Sequence, residues 1–149
     1  MTSSANSSAV ILEAMDQSTV GSVHQQIIVR YFETFNQALF EETAGLFAQE
    51  GQIQPPFDAA VKGPAAIAQY LEREAKGMVA EPMEIHFIQP ENLPPEHSRP
   101  THYRVKGKVQ NSLFSVHVAW DFEFTKSAQI SQVKVRLLAS LQELFKIQR

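Results

Sequence analysis

Between Leu113 and Phe124 the chain reads LFSVHVAWDFEF, and every second residue is apolar: Phe114, Val116, Val118, Trp120, Phe122 and Phe124 fall on one side. Ser115, His117, Ala119, Asp121 and Glu123 fall on the other. A period of two predicts a strand with one face on an apolar core and one toward water. The same period recurs at Met83, Ile85 and Phe87, at Tyr103, Val105, Gly107 and Val109, and at Val133, Val135 and Leu137. Strands that follow one another in this way predict an antiparallel meander. Earlier in the chain the period is helical. Val23, Ile27, Ile28, Tyr31, Phe32 and Phe35 make a broad apolar stripe over Val23 to Asn36, and Phe40, Ala44, Leu46 and Phe47 extend the pattern as a second short helix over Leu39 to Ala48.

Pro55 and Pro56 follow a brief extended piece in GQIQPPFDAAVKG, which reads as a turn-rich rim. A third helix is predicted from Pro64, suited to a first helical turn, to Gly77, suited to the left-handed residue after a helix end. Pro90, Pro94, Pro95 and Pro100 fill the loop Gln89 to Pro100. Ser140 and Glu143 form a capping-box pattern before Leu144, Phe145 and Ile147, which predicts a short C-terminal helix. Helices followed by a curved antiparallel sheet wrapped over the longest of them make an α+β cone with a mouth. Residues 1–20 are expected to be a flexible lead-in and residues 21–149 the folded domain.

The chain of 149 residues is long enough to bury a sizeable single core, and its 44% hydrophobic content is that of an ordinary globule. A net charge of −3 supplies no field for a phosphate backbone, so nucleic acid is not an expected partner. The absence of cysteine removes disulfides, thiolate nucleophiles and Cys-ligated zinc together. The first twenty residues carry no Lys or Arg and no long apolar run, which argues against an export signal and for a cytoplasmic protein.

Candidate chemistry centres on Trp120. An indole N–H only donates, and on an apolar strand face it needs an acceptor or loses roughly 1–3 kcal/mol in desolvation. Two readings stand side by side: the acceptor is a backbone carbonyl in the core, or it belongs to a ligand. Tyr31, on the inward stripe of the first helix, poses the same choice from across the cone. Two donors aimed at one cavity suit a carbonyl oxygen. His24, His86, His97, His102 and His117 show no metal-ligand spacing, and no phosphate loop or nucleophile elbow is present. Asp121 and Glu123 alternate with the apolar set and should point outward. Glu74, near the end of the third helix, is the one acid placed near the rim. A general base inside the cone is therefore missing.

The segments RYFETFN, LFAQEGQIQPPF, VKGPAAIAQYLEREAKGM, KGKVQ, VAWDF and LLASLQEL, in order across Arg30 to Leu144, resemble the C-terminal domain of the orange carotenoid protein. They resemble still more its stand-alone C-terminal domain homologues, small cyanobacterial proteins with an NTF2-like fold. The resemblance implies a ketocarotenoid, canthaxanthin or echinenone, whose ring oxygen accepts hydrogen bonds from Tyr31 and Trp120. It implies cavity walls at Phe35, Met78, Phe114, Phe122, Val135 and Leu137. It further implies a homodimer sharing one carotenoid, transfer to helical carotenoid proteins, transient contact with carotenoid-containing membrane, singlet-oxygen quenching in photoprotection, and a last helix that covers or gates the site. A globule of this length has a radius of gyration of about 15 Å, so a long polyene entering ring-first leaves its far end to be covered by a second apolar cone. Where many relatives carry Trp-Phe, this chain has Leu113 and Phe114. The expected class is a binding and transfer protein, not an enzyme. The alternatives are an enzyme of the SnoaL and ketosteroid isomerase type, which shares the cone, and a pure dimerisation module with a self-filled core.

Overall fold

The computed structural model describes residues 19–88 and 101–138. Helix α1 (Thr19–Asn36) lays His24, Ile28, Tyr31, Phe32 and Phe35 on its buried face, a spacing of three and four that keeps one stripe toward the core. The stripe is rotated from the expected one: Val23 is 39% exposed and His24 takes the inward place. The imidazole tolerates that place because it is fully engaged. It stacks on Phe124 at 4.1 Å between ring centroids, and its Nδ1 shares a 2.8 Å hydrogen bond with the Tyr103 hydroxyl.

At the end of α1 the Asn36 amide donates to the Ala80 carbonyl at 2.9 Å and accepts from the Ala80 N–H at 2.7 Å. One side chain thus satisfies both backbone groups of an edge residue and pins the helix to the sheet. Helix α2 (Phe40–Ala44) is tied to α1 by a 2.7 Å hydrogen bond between the Thr34 and Thr43 hydroxyls. It is shorter than the helix expected over Leu39 to Ala48, because Phe47 and Ala48 already belong to strand β1 (Phe47–Gln54). Pairing decides this: Ile130 N–H donates to the Leu46 carbonyl at 3.0 Å and Phe47 registers with Ile130. Strand β2 (Val61–Lys62) and helix α3 (Pro64–Glu74) follow, with Pro64 in the first turn and Gly77 at φ +87° as its sequence predicts.

Strands β3 (Val79–Phe87), β4 (His102–Gln110), β5 (Ser115–Phe124) and β6 (Ile130–Leu137) form the expected antiparallel meander. The sheet is nevertheless mixed. It has six strands in the order β2-β1-β6-β5-β4-β3, and β1 runs parallel to β6. A bulge between Phe47 and Gln52 breaks the alternation that marks a strand, so β1 reads in the sequence only as a brief extended piece. The helices cover one face, and the core lies between α1, α3 and the inner row Val118, Trp120, Phe122 and Phe124 of β5. The outer row of β5 is fixed by charge: Asp121 accepts from Arg104 at 2.7 and 3.0 Å and pairs with Arg136 at 3.5 Å. The lead-in up to residue 18, the proline-rich loop over 89–100 and the expected C-terminal helix lie outside the described residues. Among the described residues no helix is long and apolar enough to cross a membrane.

At the free edge of the sheet, Met83 is the extra residue of a bulge between Pro82 and Glu84, and Pro82 stands opposite Gly107. A Cβ at Gly107 would lie 2.1 Å from the Glu81 carbonyl oxygen and 2.9 Å from Pro82 Cα, both backbone atoms. Gly107→Ala is therefore expected to cost about 1–3 kcal/mol or more through overpacking, at about 2–4 °C of melting temperature per kcal/mol; an unchanged thermal melt would contradict this close approach.

Burial alone pushes the Tyr103 phenol up to about 12, and burial drives Tyr31 higher still. The unfolded chain releases such protons from about pH 10, so above that pH the native state holds more protons than the unfolded one. The sign is fixed by linkage: stability is fully present below about pH 10 and falls as pH rises toward 12. Urea midpoints at pH 8, 10 and 11 should decline in that order, and Tyr103→Phe should flatten the decline; midpoints that ignore pH over this range count against it.

Candidate functional site

Period-two alternation along β5 and β6 sends Val116, Val118 and Trp120, with Val135 and Leu137 beside them, to the side that α1 and α3 cover. The helices do not fill all of that space. A cavity of about 180 Å³ remains, bounded by Tyr31 and Phe35 of α1, Ile53, Pro55 and Pro56 at the end of β1, Tyr70, Leu71, Glu74, Ala75 and Met78 of α3 and its exit, and Val109 and Phe114 at the neighbouring strand ends. A larger groove of about 530 Å³ lies where β1 meets β6, walled in part by Gln52, Gln54, Gln132, Lys134 and Arg136, and it shares Pro55, Pro56, Val135 and Leu137 with the cavity. The groove is open and polar. The smaller space is mostly apolar and is lined by both Tyr31 and Trp120, which makes it the candidate site.

Tyr31 is 1% exposed and Trp120 3% exposed. Aromatic packing fixes both. The Tyr31 ring meets Phe122 edge-on at 5.1 Å and Phe32 at 5.3 Å, while Phe32 meets the Trp120 indole edge-on at 4.8 Å. Phe32 is thus a shared spacer between the two donors. Neither the Tyr31 hydroxyl nor the Trp120 N–H has a hydrogen-bond partner among the described residues, and neither is sealed off. The one fully enclosed side-chain polar atom without a partner there is Gln25 Nε2. The Tyr31 phenol is held far above its ordinary range by burial and then by the neighbouring Tyr70 phenol, so it is a neutral donor at any physiological pH.

Of the residues singled out in the sequence, Tyr31, Trp120, Phe35, Met78, Phe114, Val135 and Leu137 come together around this cavity. Phe122 does not join them. It is fully buried behind Tyr31, whose ring it meets edge-on. The donors are not the sole polar groups in the walls: Tyr70 and Glu74 line the cavity as well. Tyr70 stands one turn before Glu74 on α3, and that i, i+4 spacing is the signal in the sequence that points to it. Glu74 does stand at the rim, half exposed and 3.2 Å from Arg73. Leu113 is 88% exposed and Phe57 84% exposed, and with Phe114 and Leu137 they put apolar surface around the mouth. No cluster of three metal-ligating side chains occurs among the described residues.

The family described as the Nuclear transport factor 2 (NTF2) domain matches residues 23–135, and the chain belongs to it. Over 142 residues the sequence is 26% identical to the orange carotenoid-binding protein of Synechocystis sp., covering 88% of this chain and 41% of that protein. This chain therefore spans about two fifths of the length of that relative. A solved structure of the Anabaena (Nostoc) sp. orange carotenoid protein binding canthaxanthin superposes with a TM-score of 0.67 at 26% identity, over 80% of this chain and 38% of that one. A putative ketosteroid isomerase from Kribbella flavida shares the fold alone, with a TM-score of 0.62 at 15% identity over 79% of each chain.

Proposed function

We propose that this member of the NTF2 domain family binds a ketocarotenoid, with the ring ketone in the cavity and the Tyr31 hydroxyl and Trp120 N–H as its donors. The observation that carries the reading is the pairing itself: two donors on one apolar cavity, both without a partner among the described residues, and both neutral. A ketone accepts and cannot donate, which is the complement of that pair. Similarity to the orange carotenoid-binding protein supports the choice of ligand. Canthaxanthin or echinenone has the required end group.

Size supports the mode of entry. A space of about 180 Å³ is below the roughly 300–1,000 Å³ of pockets that enclose a drug-sized ligand, so it takes a ring and leaves the polyene outside. Leu113, Phe114, Leu137 and Phe57 offer apolar surface where the polyene emerges. A second copy covering the far ring gives a homodimer with one shared carotenoid. In this reading the protein stores the pigment in the cytoplasm, takes it up from carotenoid-containing membrane, passes it to helical carotenoid proteins, and quenches singlet oxygen while holding it. Glu74 favours a second reading, an isomerase-like enzyme with this carboxylate as base. Its half-exposed position beside Arg73 suits a rim charge better than a buried base.

Co-expression with canthaxanthin is expected to give a coloured dimer. Replacing both donors, Tyr31→Phe with Trp120→Phe, removes two hydrogen bonds of about 0.5–1.5 kcal/mol each and should weaken loading on the order of 5- to 100-fold. It should also move the visible absorption of any residual complex to the blue, because charge displacement toward the ketone oxygen is no longer stabilised. Unchanged affinity and colour in the double variant would falsify the donor assignment.

A further inference from the structure

The cavity holds a second polar station. Tyr70 and Glu74 lie one turn apart on α3 and both line it. The Tyr70 hydroxyl, like that of Tyr31, has no hydrogen-bond partner among the described residues. Burial first, then the charges of Asp58 and Glu74, hold the Tyr70 phenol in its protonated form against the opposing effect of Arg73. Tyr31 and Tyr70 line the same cavity of about 180 Å³, so the two stations face one end of a ligand and not two separate ligands.

Their chemistry differs. Tyr31 and Trp120 offer donors to an atom that accepts. Glu74 is an acceptor when ionised, and Tyr70 can donate or accept. A ring bearing only a ketone satisfies the first station and leaves the second idle. A hydroxyl both donates and accepts, and on the carbon next to the ketone it lies within hydrogen-bonding distance of the ketone oxygen, which suits two stations on one cavity of about 180 Å³.

We infer that Tyr70, with Glu74, reads a ring hydroxyl adjacent to the ketone, so that the site selects polyenes ending in an α-hydroxyketone over those ending in a plain ketone. This rests on the ketocarotenoid reading of the cavity and adds a specificity determinant to it. A site with a dedicated partner for a hydroxyl discriminates against the analogue that lacks it, here moderately, since Glu74 is half in water.

The test uses the intact chain and two probes, astaxanthin with a hydroxyl beside each ring ketone and canthaxanthin without it. Binding is followed by quenching of the single tryptophan. Wild-type protein should bind astaxanthin about 5- to 10-fold more tightly, the scale of one added hydrogen bond. In Tyr70→Phe that ratio should fall below about twofold, and in Glu74→Gln it should fall part of the way. Thermal melts confirm that both variants are folded. Equal affinities in the wild type, or a ratio that survives Tyr70→Phe, overturn the inference and leave the ketone reading standing. Failure of either pigment to bind the wild type removes the ketone reading and this inference with it.

Discussion

The inner row of β5 against the buried stripe of α1 is the contact on which the rest of this structure depends. Val118, Trp120, Phe122 and Phe124 face Ile28, Tyr31, Phe32 and Phe35, and nearly all of them are sealed from solvent. A fully buried side chain of this kind contributes about 1.5–3 kcal/mol relative to its exposed state. A shift of one residue in β5 would turn the whole row to the outer face. The outer row resists that slip, because Asp121 is held by Arg104 and Arg136 from the strands on either side. The same register therefore fixes where Trp120 stands relative to Tyr31, and with it the geometry of the cavity.

A donor fully cut off from water without a partner costs on the order of 1–3 kcal/mol, and the two donors in this contact are not fully cut off. The fold lowers that cost by leaving a void beside them and by holding the rings with edge-on aromatic contacts that need no hydrogen bond. Phe122 illustrates the division of labour. It does not line the cavity, yet with Phe32, Phe35 and Phe47 it packs the ring of the phenol that does. Elsewhere in the core the fold follows the ordinary rule and satisfies its buried polar groups: His24 meets Tyr103, Thr34 meets Thr43, and Asn36 meets both backbone groups of Ala80. Gln25 Nε2 is the one fully enclosed exception among the described residues, whereas the Tyr31 and Trp120 donors, also without a partner among them, keep access to the cavity.

Regular periodicity made much of this legible. The alternation of β5 and β6 and the helical spacing of α1 are enough by themselves to place Tyr31, Trp120, Phe35, Val135 and Leu137 on inward faces. The resemblance to the orange carotenoid protein adds the NTF2-like fold. What escaped the pattern did so for physical reasons. Strand β1 hides behind a bulge and runs parallel to a strand some eighty residues later, a pairing that no local signal encodes. His24 is inward although it is polar, since its partners Tyr103 and Phe124 come from distant strands. Phe122 shares a face with Trp120 but not the cavity, because inward means only toward the helices, and α1 already occupies the space in front of it. Tyr70 escaped as a wall residue because it stands at the border of the apolar stripe of its helix, one turn before the charged Glu74.

Whether such a cavity holds a molecule or transforms it is decided by proton affinity. An isomerase on this fold needs a base that takes a proton at neutral pH and a donor that stabilises the resulting oxyanion. Tyr31 could serve as the donor, since burial keeps its proton in place. Among the described residues no side chain stands inside the cavity as that base. The histidine nearest the core, His24, spends its ring on Tyr103 and Phe124 outside the cavity, and Glu74 sits at the rim with Arg73 for company. With neutral donors inside and Glu74, the only carboxylate among the described wall residues, at the water's edge, the cavity is better furnished to hold an acceptor than to take a proton from it. For the conjugated ketone proposed as ligand, such donors would shift its colour and fix its orientation, the two things that the proposed role as a pigment carrier requires.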